Sequence, residues 1–477
     1  MFDVVVIGGG VIGGSILREL TKYEGSFCLL EKEEDVAMGQ SRANSGIVHA
    51  GFDAVPNSLK AKFNVLGNKM MPQYAKDLGV KYRNNGSLVL GFNEDDYKTL
   101  QDLKTRGEAN GVEGLTILDR EALVKIEPNV SDNVTCALFA PTGGIVCPYE
   151  LTIASIGNAM DNGAKLNCDF DVEKIDKKDG AFIITAKDGR VVETKAIINC
   201  AGFNSAIISG LAGDNSFTIN GRKGEYILLD RESGDFVQHT LFTAPTKAGK
   251  GVLVTQTVDN NILLGPTATE TGRDGDVVTT QEGLQFVIEK VNAMCKKVPH
   301  FNTITSFAGV RAYCDRHDFI IEESKQVKGL INVAGIESPG LTSAPAIAKY
   351  VVEDLVSGVM ELKANKDFNG NRKADYFFKN LTNEEKNQVI KKDNRYGKMV
   401  CRCEQITEGE IVRAIHENPP ARSVSAVKRR TRAGMGRCQG GFCQSHVVEI
   451  LARELGIEYE QVTLSGKGSE IVVGKSK

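Results

Sequence analysis

Four cysteines near the C-terminal end have types and spacing that suit a metal site. They occur as Cys401-x-Cys403 and, after 34 intervening residues, as Cys438-x4-Cys443. Four thiolates in two close pairs can hold Zn²⁺ or a [2Fe–2S] cluster, and the spacing does not choose between the two. The other seven of the 11 cysteines are scattered. An odd total argues against a disulfide framework and for a reducing compartment.

A glycine-rich turn near the N-terminus has the pattern of a dinucleotide site. Gly8-x-Gly10-x-x-Gly13 lies between the β-branched run 2–7 and a helical stretch. In such a turn the second glycine lets the backbone approach a pyrophosphate, and the third packs the helix on the strand. Glu31 ends the next apolar run, at the distance where an acid binds a ribose hydroxyl. These residues predict dinucleotide binding, and their spacing alone does not separate NAD from FAD.

The elements around these residues indicate an α/β protein with a separate C-terminal module. A β-meander is expected over 165–200, because the turn sequences Lys-Asp-Gly occur twice within it. The stretch 363–398 is polar and predicts a helical or irregular linker. Further expected strands cover 27–30, 226–229, 251–257, 261–265 and 330–335, the last followed by a Ser-Pro-Gly turn and a helix to about residue 355.

Composition places the chain among ordinary globular proteins. It has 477 residues, 41% of them hydrophobic and 25% charged, with a formal net charge of −3. This balance gives no reason to expect nucleic-acid binding. No apolar run reaches the roughly 18 residues that a membrane helix needs, and the N-terminus lacks the pattern of a secretory leader. We therefore expect a cytoplasmic protein, with peripheral contact at the inner face of the membrane as an open alternative.

Four segments spread over residues 1–355 resemble the FAD-dependent D-amino-acid-oxidase-like superfamily. They are the loop Ser41–Gly51, Gly143-Gly144-Ile145-Val146-Cys147-Pro148, the segment Ala196–Gly202 and the late segment Asn332–Ser343. The resemblance implies FAD in a Rossmann-like domain that is interleaved with a β-rich α+β substrate domain. It also implies that the cofactor-binding residues, besides Gly8, Gly10, Gly13 and Glu31, are Ser41, Asn44, Ser45, Gly202, Gly335, Gly340, Leu341 and Thr342.

The resemblance sets the expected domain boundaries. The FAD-binding domain is expected to be discontinuous, at 1–80, 145–215 and 326–362. The substrate domain takes 81–144 and 216–325. After the linker 363–398, a small helical [2Fe–2S] module is expected at 399–455, followed by a tail at 456–477.

Two residues are candidates for the substrate chemistry. Arg311, in Gly309-Val310-Arg311, resembles the Gly-x-Arg that pairs with a substrate carboxylate or phosphate in this superfamily, and the planar fork of arginine suits such a group. His49 lies in the expected flavin loop. It is a candidate proton acceptor or covalent flavin attachment site, or it packs beside the cofactor without chemistry. The loop residues Lys247 and Lys250 are expected to be solvated rather than to attract the substrate.

The cysteine-rich end resembles a second family. The segment Thr431–Cys443 resembles the bacterioferritin-associated-ferredoxin-like [2Fe–2S] domain, with all four ligand positions filled. This resemblance implies a [2Fe–2S] cluster on Cys401, Cys403, Cys438 and Cys443. The basic run Lys428–Arg432 could offset the thiolate charge and orient an acidic partner, since it lacks the interleaved aromatic residues of a nucleic-acid site.

Together the two modules resemble the catalytic subunit of anaerobic, FAD-dependent glycerol-3-phosphate dehydrogenases. We therefore expect a dehydrogenase that oxidises sn-glycerol 3-phosphate to dihydroxyacetone phosphate and passes electrons to an acceptor protein subunit or a membrane quinone system. The catalytic part also resembles L-2-hydroxyglutarate oxidase, although Leu253 stands where that family tends to carry a histidine. Both substrates are small anionic secondary alcohols. A third alternative, from another class, is a non-catalytic zinc- or Fe–S-dependent binding protein.

Overall fold

A computed structural model describes residues 1–245, 251–272, 275–372 and 377–474. Lys247 and Lys250 lie outside this part of the chain. The strands are β1 Phe2–Ile7, β2 Phe27–Leu30, β3 Ile47–Val48, β4 Tyr82–Arg83, β5 Ser87–Gly91, β6 Thr116–Asp119, β7 Cys136–Ala140, β8 Gly144–Val146, β9 Lys165–Asn167, β10 Val172–Lys178, β11 Ala181–Ala186, β12 Val191–Asn199, β13 Ile219–Leu229, β14 Thr240–Thr243, β15 Leu253–Gln256, β16 Ile262–Gly265, β17 Thr269–Thr271, β18 Thr303–Cys314, β19 Ile320–Glu323, β20 Leu330–Ala334, β21 Met399–Cys401 and β22 Ile406–Thr407.

The helices alternate with these strands and then dominate the C-terminal part. They are α1 Val11–Leu20, α2 Leu59–Asp77, α3 Glu94–Ala109, α4 Arg120–Ile126, α5 Pro148–Asp161, α6 Ser205–Leu211, α7 Gln281–Met294, α8 Gly340–Tyr350, α9 Asn383–Lys392, α10 Glu408–His416, α11 Val424–Thr431 and α12 Gln444–Leu455. A π-helical turn, Val351–Leu355, continues α8 to the end that the sequence predicts.

The first large sheet holds the N-terminal glycine turn. Its order is β10-β11-β12-β1-β2-β9, with β20 beside β12 and β19 beside β20. β1 is parallel to both β2 and β12. Val4 and Val6 pack into the core under α1, α5 and α8, whereas Val5 and Ile7 pack against the meander β10–β12. Burial of both faces explains why the strand is a continuous β-branched run, as is typical of parallel strands.

The second large sheet faces the first across the site described below. Its order is β17-β13-β16-β15-β14-β5-β7-β6, and β18 pairs with β13 along nearly its whole length. Buried side chains of α4 and α7 cover one face, and those of α3 contact the other. A small sheet in the order β3-β8-β4 lies where the chain passes between the two.

The sheets suggest how the chain divides. We propose the interleaved division that the sequence analysis gives, with one change. The strand β19, Ile320–Glu323, pairs with β20 in the first sheet. We therefore propose that the chain returns to the FAD-binding domain before residue 326. The register Ile320↔Ala334 makes β19–β20 a hairpin, which the sequence analysis does not anticipate.

The C-terminal module is a small helical unit with its own core. Buried residues of β22, α10, α11 and α12 pack together with Cys401 and Cys443. The Thr407 hydroxyl accepts from the Glu410 amide and the Glu410 carboxylate accepts in return from the Thr407 amide, so a capping box starts α10. Ser423 caps α11 with a single hydrogen bond, which its hydroxyl accepts from the Ala426 amide.

The linker is fastened to the first domain rather than free. Asn365 donates its backbone N–H to the Lys22 carbonyl at 2.8 Å, and the Arg18 guanidinium donates to the Gly370 carbonyl at 2.9 Å. Within the described ranges, no helix has both the length and the apolar character to cross a membrane.

Candidate active site and cluster module

A cleft of about 450 Å³ opens at the carboxyl ends of β1 and β2, between the two large sheets. Most of the residues predicted for the cofactor and substrate lie together on its wall. These are Gly8, Gly10, Glu31, Ser41, Asn44, Ser45, His49, Gly202, Arg311, Gly340 and Leu341. A cleft at the carboxyl ends of parallel strands is where α/β sheets bind ligands.

Three predicted cofactor residues do not line this cleft and instead support its shape. A Cβ on Gly13 would clash with the Gly8 carbonyl oxygen, so Gly13 keeps α1 against the turn. Gly335 has a φ of +63°, and a Cβ there would lie 2.7 Å from the Cys314 Cβ. Thr342 is fully buried and its hydroxyl accepts from the His49 amide at 2.8 Å. In the structure each of them supports a neighbouring part of the wall, and contact with the cofactor stays a prediction.

The glycine turn leaves a cradle at the N-terminus of α1. Gly10 is the N-cap residue of α1, with a φ of −83°. Because it is a glycine, it has no side chain that could accept a hydrogen bond from the first amides of the helix. A Cβ built on Gly10 would have one neighbour within 4 Å, the Ser41 hydroxyl oxygen at 3.2 Å. That hydroxyl also accepts from the Val11 amide at 2.8 Å. The backbone therefore faces open cleft space at a helix N-terminus, which fits the pyrophosphate of FAD.

Glu31 is held beside the turn with its carboxylate fixed. Oε2 accepts from the Gly9 amide at 2.6 Å, and Oε1 accepts from the Glu33 amide at 2.9 Å. Burial raises the pKa of Glu31, and the two amide hydrogen bonds oppose this effect. A carboxylate that is held in this way, on the cleft wall and one strand along from the glycine turn, fits a ribose hydroxyl.

The loop after Ser41 is shaped by its own side chains. Asn44 donates to the Gln40 and Ser41 carbonyls and accepts from the Gly46 amide at 2.9 Å. Gln40 bridges outward, because its side chain accepts from the Ala312 amide on β18 at 3.1 Å and donates to the Ile336 carbonyl at 3.3 Å. Asn44 lines the cleft, and its hydrogen bonds hold the loop in shape. Gln40 connects this loop to β18 and to the turn before α8.

His49 lies at the junction of the flavin loop and the turn before α8. Its Nε2 is 3.1 Å from the Ser338 hydroxyl, and both residues line the cleft. The His49 carbonyl accepts from the amide groups of Asn64 and Asn68 on α2. Its ring stacks on Phe242 of β14, with the centroids 5.9 Å apart. The backbone of His49 is thus held by α2 and its imidazole by Ser338 and Phe242, while the residue lines the cleft.

Arg311 reaches the cleft from the second large sheet. It lies on β18 opposite Arg222 of β13, and its Nη2 donates to the Thr267 carbonyl at 2.6 Å. The buried Nε of Arg311 has no hydrogen-bond partner among the residues that the structure describes. A guanidinium on a cleft wall with an unpaired buried N–H fits an anionic ligand, since a buried donor without a partner is costly.

Tyr226 and Ser338 are site residues that the sequence analysis does not single out. Tyr226 lines the cleft, hydrogen-bonds to Ser45 and feels the charge of Arg311. Burial raises the pKa of its phenol, so it stays protonated. Both residues lie inside segments that the sequence analysis quotes, but nothing in those segments shows which side chains face the cleft. His317, six positions after Arg311, is not among the residues that line the cleft; it stacks near Tyr313.

The four C-terminal cysteines form two pairs. Cys403 Sγ and Cys438 Sγ are 3.6 Å apart, and Cys443 is hydrogen-bonded to Cys401. That hydrogen bond lowers the pKa of Cys401 to about 6 and raises the pKa of Cys443. Cys401 and Cys443 are buried, whereas Cys403 and Cys438 are partly exposed.

The four thiols bear on the two metal sites left open by the spacing. Two thiol pairs can supply two sulfur ligands to each iron of a [2Fe–2S] cluster, and four thiolates can also hold one zinc ion. Backbone amides also point at the sulfurs, those of Glu404 and Gly434 at Cys401 and that of Phe442 at Cys438.

The basic run beside the cysteines is not an outer surface, which corrects the expectation that it orients an acidic partner. Arg429 and Arg430 on α11 are buried and bind the Asp35 carboxylate of the FAD-binding domain. Arg432 is also buried, and its guanidinium bonds Asp259 at 2.7 Å and Glu404 at 2.9 Å. The run joins the modules because buried arginines need carboxylate partners.

Comparison with known proteins decides the family. The family model "FAD dependent oxidoreductase" matches residues 3–354. The chain belongs to this family. A second model, the "BFD-like [2Fe-2S] binding domain", matches residues 399–453. The chain is thus an FAD-dependent oxidoreductase with a C-terminal [2Fe–2S] binding domain, and the expectations for fold class and both cofactors are confirmed.

Three similar proteins illustrate the relationship. A glycerol 3-phosphate dehydrogenase of Caloramator mitchellensis is 49% identical over 100% of this chain and 99% of its own length. The structure of L-alpha-glycerophosphate oxidase from Mycoplasma pneumoniae with FAD bound is 30% identical, with a TM-score of 0.74, and the match covers 78% of this chain and 98% of that one. An L-2-hydroxyglutarate dehydrogenase of Bos taurus is 32% identical over 56% of this chain and 61% of its own.

Proposed function

We propose that this protein is a dehydrogenase that oxidises sn-glycerol 3-phosphate to dihydroxyacetone phosphate, with the electrons leaving through the [2Fe–2S] cluster. The observation on which the proposal rests is the full-length similarity to the Caloramator glycerol 3-phosphate dehydrogenase, because it includes the cysteine module. The Mycoplasma oxidase matches along 98% of its own length and still leaves about a fifth of this chain without a counterpart. An enzyme that reduces O₂ directly needs no such module.

Arg311 is proposed to bind the phosphate of the substrate. Its Nε has no partner among the described residues, and its Nη2 is already oriented by the Thr267 carbonyl at 2.6 Å. A guanidinium fixed in this way offers a planar pair of donors to a phosphate oxygen pair. Binding the anionic end leaves the secondary alcohol free to lie against the cofactor.

His49 is proposed to take the hydroxyl proton at Nε2. In the structure the Ser338 hydroxyl lies 3.1 Å from this atom, and the substrate hydroxyl is proposed to replace it there, which leaves the lone pair of Nε2 free for the proton. The stack on Phe242 fixes the ring plane. Imidazole suits the task because its ordinary pKa lies near neutrality. A hydroxyl that loses its proton releases hydride from the same carbon more easily.

FAD supplies the acceptor for the substrate hydride. Gly10 and the N-terminus of α1 are proposed to hold the pyrophosphate, and Glu31 the ribose. Gly340 and Leu341 begin α8, whose N-terminus has no capping side chain and would favour negative charge on the nearby flavin. Cys401, Cys403, Cys438 and Cys443 are proposed to hold the cluster.

L-2-hydroxyglutarate remains the second candidate substrate. The corresponding family tends to carry a histidine where this chain has Leu253, and the structure places Leu253 on the cleft wall. An apolar side chain there gives a second carboxylate no partner, which favours the phosphate ester. The electron acceptor is proposed to be a protein subunit or a membrane quinone system. The protein is proposed to act in the cytoplasm, and at the inner face of the membrane if its acceptor is a quinone.

Anaerobic stopped-flow spectroscopy tests the substrate. The holoenzyme is mixed with sn-glycerol 3-phosphate, with its mirror image sn-glycerol 1-phosphate as the matched control, and with L-2-hydroxyglutarate. We expect rapid bleaching of the flavin with the first compound and much slower bleaching with the other two. Faster bleaching with L-2-hydroxyglutarate would overturn the proposed substrate.

A further inference from the structure

The short loop 31–37 contacts both the FAD site and the cluster module. On one side, Glu31 accepts from the Gly9 amide at 2.6 Å, and the Ala37 amide donates to the Gly9 carbonyl at 2.9 Å. The loop therefore holds the glycine turn at two points. On the other side, Asp35 and Glu34 reach across to α11 of the cluster module. The FAD cradle and the module thus share one loop.

Asp35 is the centre of this contact. Its Oδ1 accepts from Arg430 Nη2 at 2.7 Å and from the Val36 amide at 2.8 Å. Its Oδ2 accepts from Arg430 Nη1 at 2.8 Å and from Arg429 Nη2 at 2.6 Å. The side chains of Asp35, Arg429 and Arg430 are 5%, 7% and 6% exposed, so the carboxylate and its two partners are shielded from solvent. Removing the Asp35 carboxylate leaves two buried guanidinium groups without their shared carboxylate partner.

The C-terminal end of α11, which carries Arg429 and Arg430, also leads to the cluster site. α11 ends at Thr431, Arg432 follows in the left-handed conformation with a φ of 70°, and the Gly434 amide points at Cys401. Cys438 lies four residues further along the chain. At the start of α11, the Ser423 hydroxyl donates to Glu34 at 2.6 Å. Helix α11 thus contacts loop 31–37 at both of its ends and continues at its C-terminal end to the cysteine pairs.

We propose that Asp35, Arg429 and Arg430 are positioning residues that couple the cluster module to the FAD site. Loss of the cluster weakens FAD binding, and FAD in turn helps the module to hold its cluster. The reciprocity is required thermodynamically, because a coupling free energy acts equally on both ligands. The proposal rests on the assignment of the four cysteines as cluster ligands.

The test measures the FAD dissociation constant, by flavin fluorescence, with and without the cluster. In the wild-type protein, anaerobic chelation of the iron should raise this constant by at least about fivefold. In the cluster-loaded Asp35→Asn variant the constant should already be raised, and chelation should change it by less than about twofold. Loss of this dependence on the cluster is an effect that a merely destabilising substitution would not produce.

Asp259→Asn is the matched control. Asp259 is buried, 7% exposed, and forms a salt bridge with Arg432 of the module, but it lies in the turn between β15 and β16 and not in loop 31–37. This variant should keep both the wild-type FAD affinity and its dependence on the cluster. Should Asp35→Asn not fold, Arg429→Gln serves instead, because it leaves both bonds between Asp35 and Arg430 in place and should halve the free energy of coupling or more.

Two outcomes would overturn the proposal. One is a wild-type FAD affinity that chelation leaves unchanged, and the other is an equal effect of Asp259→Asn and Asp35→Asn. Failure of the ligand assignment would look different. In that case Cys438→Ser would retain a full complement of iron, while chelation of the wild-type protein would still measure the coupling.

Discussion

Replacing Gly10 by alanine or valine separates cofactor binding from folding. Gly10 has a φ of −83°, which any residue adopts, and a Cβ there meets one atom within 4 Å, the Ser41 oxygen at 3.2 Å. Replacing glycine at a compatible backbone position stabilises a protein by about 0.4–1 kcal/mol through the unfolded chain. The apoprotein of Gly10→Ala should therefore melt within a few degrees of the wild-type apoprotein.

The effect on FAD should be large. The new side chain occupies the space through which the backbone amides reach the pyrophosphate. Losing two charge-assisted hydrogen bonds, at about 1.5 kcal/mol each, costs about 3 kcal/mol, or a rise of more than 100-fold in the FAD dissociation constant. The larger Gly10→Val side chain should give protein that purifies without flavin.

Two control substitutions, one at the neighbouring Gly8 and one at the remote Gly358, make the experiment specific. Gly8 has a φ of +114° and a Cβ there would clash with the Cys200 carbonyl, so Gly8→Ala should lower the melting temperature of the apoprotein itself. Gly358 has open space at its Cβ and lies away from the cleft, so Gly358→Ala should change neither property. Calorimetry of the apoproteins gives the melting temperature, and flavin titration gives the FAD dissociation constant. Full flavin content in Gly10→Val would refute the placement of the pyrophosphate.

Three further predictions concern the substrate, the cluster and the module contact. Arg311→Lys keeps the charge but loses the planar fork, so kcat/KM should fall by at least ~10²-fold with FAD retained, and a value near that of the wild type would place the anchor elsewhere. Cys438→Ser should lose the cluster and turnover with the natural acceptor, while the substrate still bleaches the flavin. Loss of bleaching in folded, FAD-loaded protein would show that the FAD site does not oxidise the substrate independently of the cluster module. Although burial opposes ionisation, Arg430 and Arg429 lower the pKa of Asp35 to about 2, which is worth about 2 kcal/mol of stability. This stability is present above about pH 4 and is lost as the pH falls towards 2. The melting temperatures of the wild type and of Asp35→Asn should therefore converge as the pH is lowered over that range. A constant difference between them would show that Asp35 is not ionised in the folded protein.

The glycine turn and the cysteine module show what the sequence can predict. Gly8, Gly10 and Gly13 have separable roles that follow from the motif, because each role depends on local backbone geometry. The cysteine spacing predicts a four-sulfur site, but the pairing of Cys401 with Cys443 depends on how β21 and α12 meet in space. Only the structure supplies that.

The basic run on α11 shows where sequence reasoning fails. Lys428–Arg432 has the composition of a solvated or partner-binding surface, yet Arg429, Arg430 and Arg432 are buried. Asp35 lies 394 residues before Arg429, and Asp259 lies 173 residues before Arg432, so nothing local marks these partners. In the same way, Tyr226 and Ser338 reach the cleft through the packing of β13 and the turn before α8. Long-range pairing of charges is set by the tertiary fold.

The path of the electrons is tested most directly by adding sn-glycerol 3-phosphate to the fully loaded protein without oxygen or an external acceptor. Electron paramagnetic resonance then follows the cluster while absorbance follows the flavin. The account predicts that the flavin bleaches first and that the signal of a reduced [2Fe–2S] cluster then grows, in the wild type and not in Cys438→Ser. A flavin that bleaches while the wild-type cluster stays oxidised, or one that does not bleach at all, would contradict it.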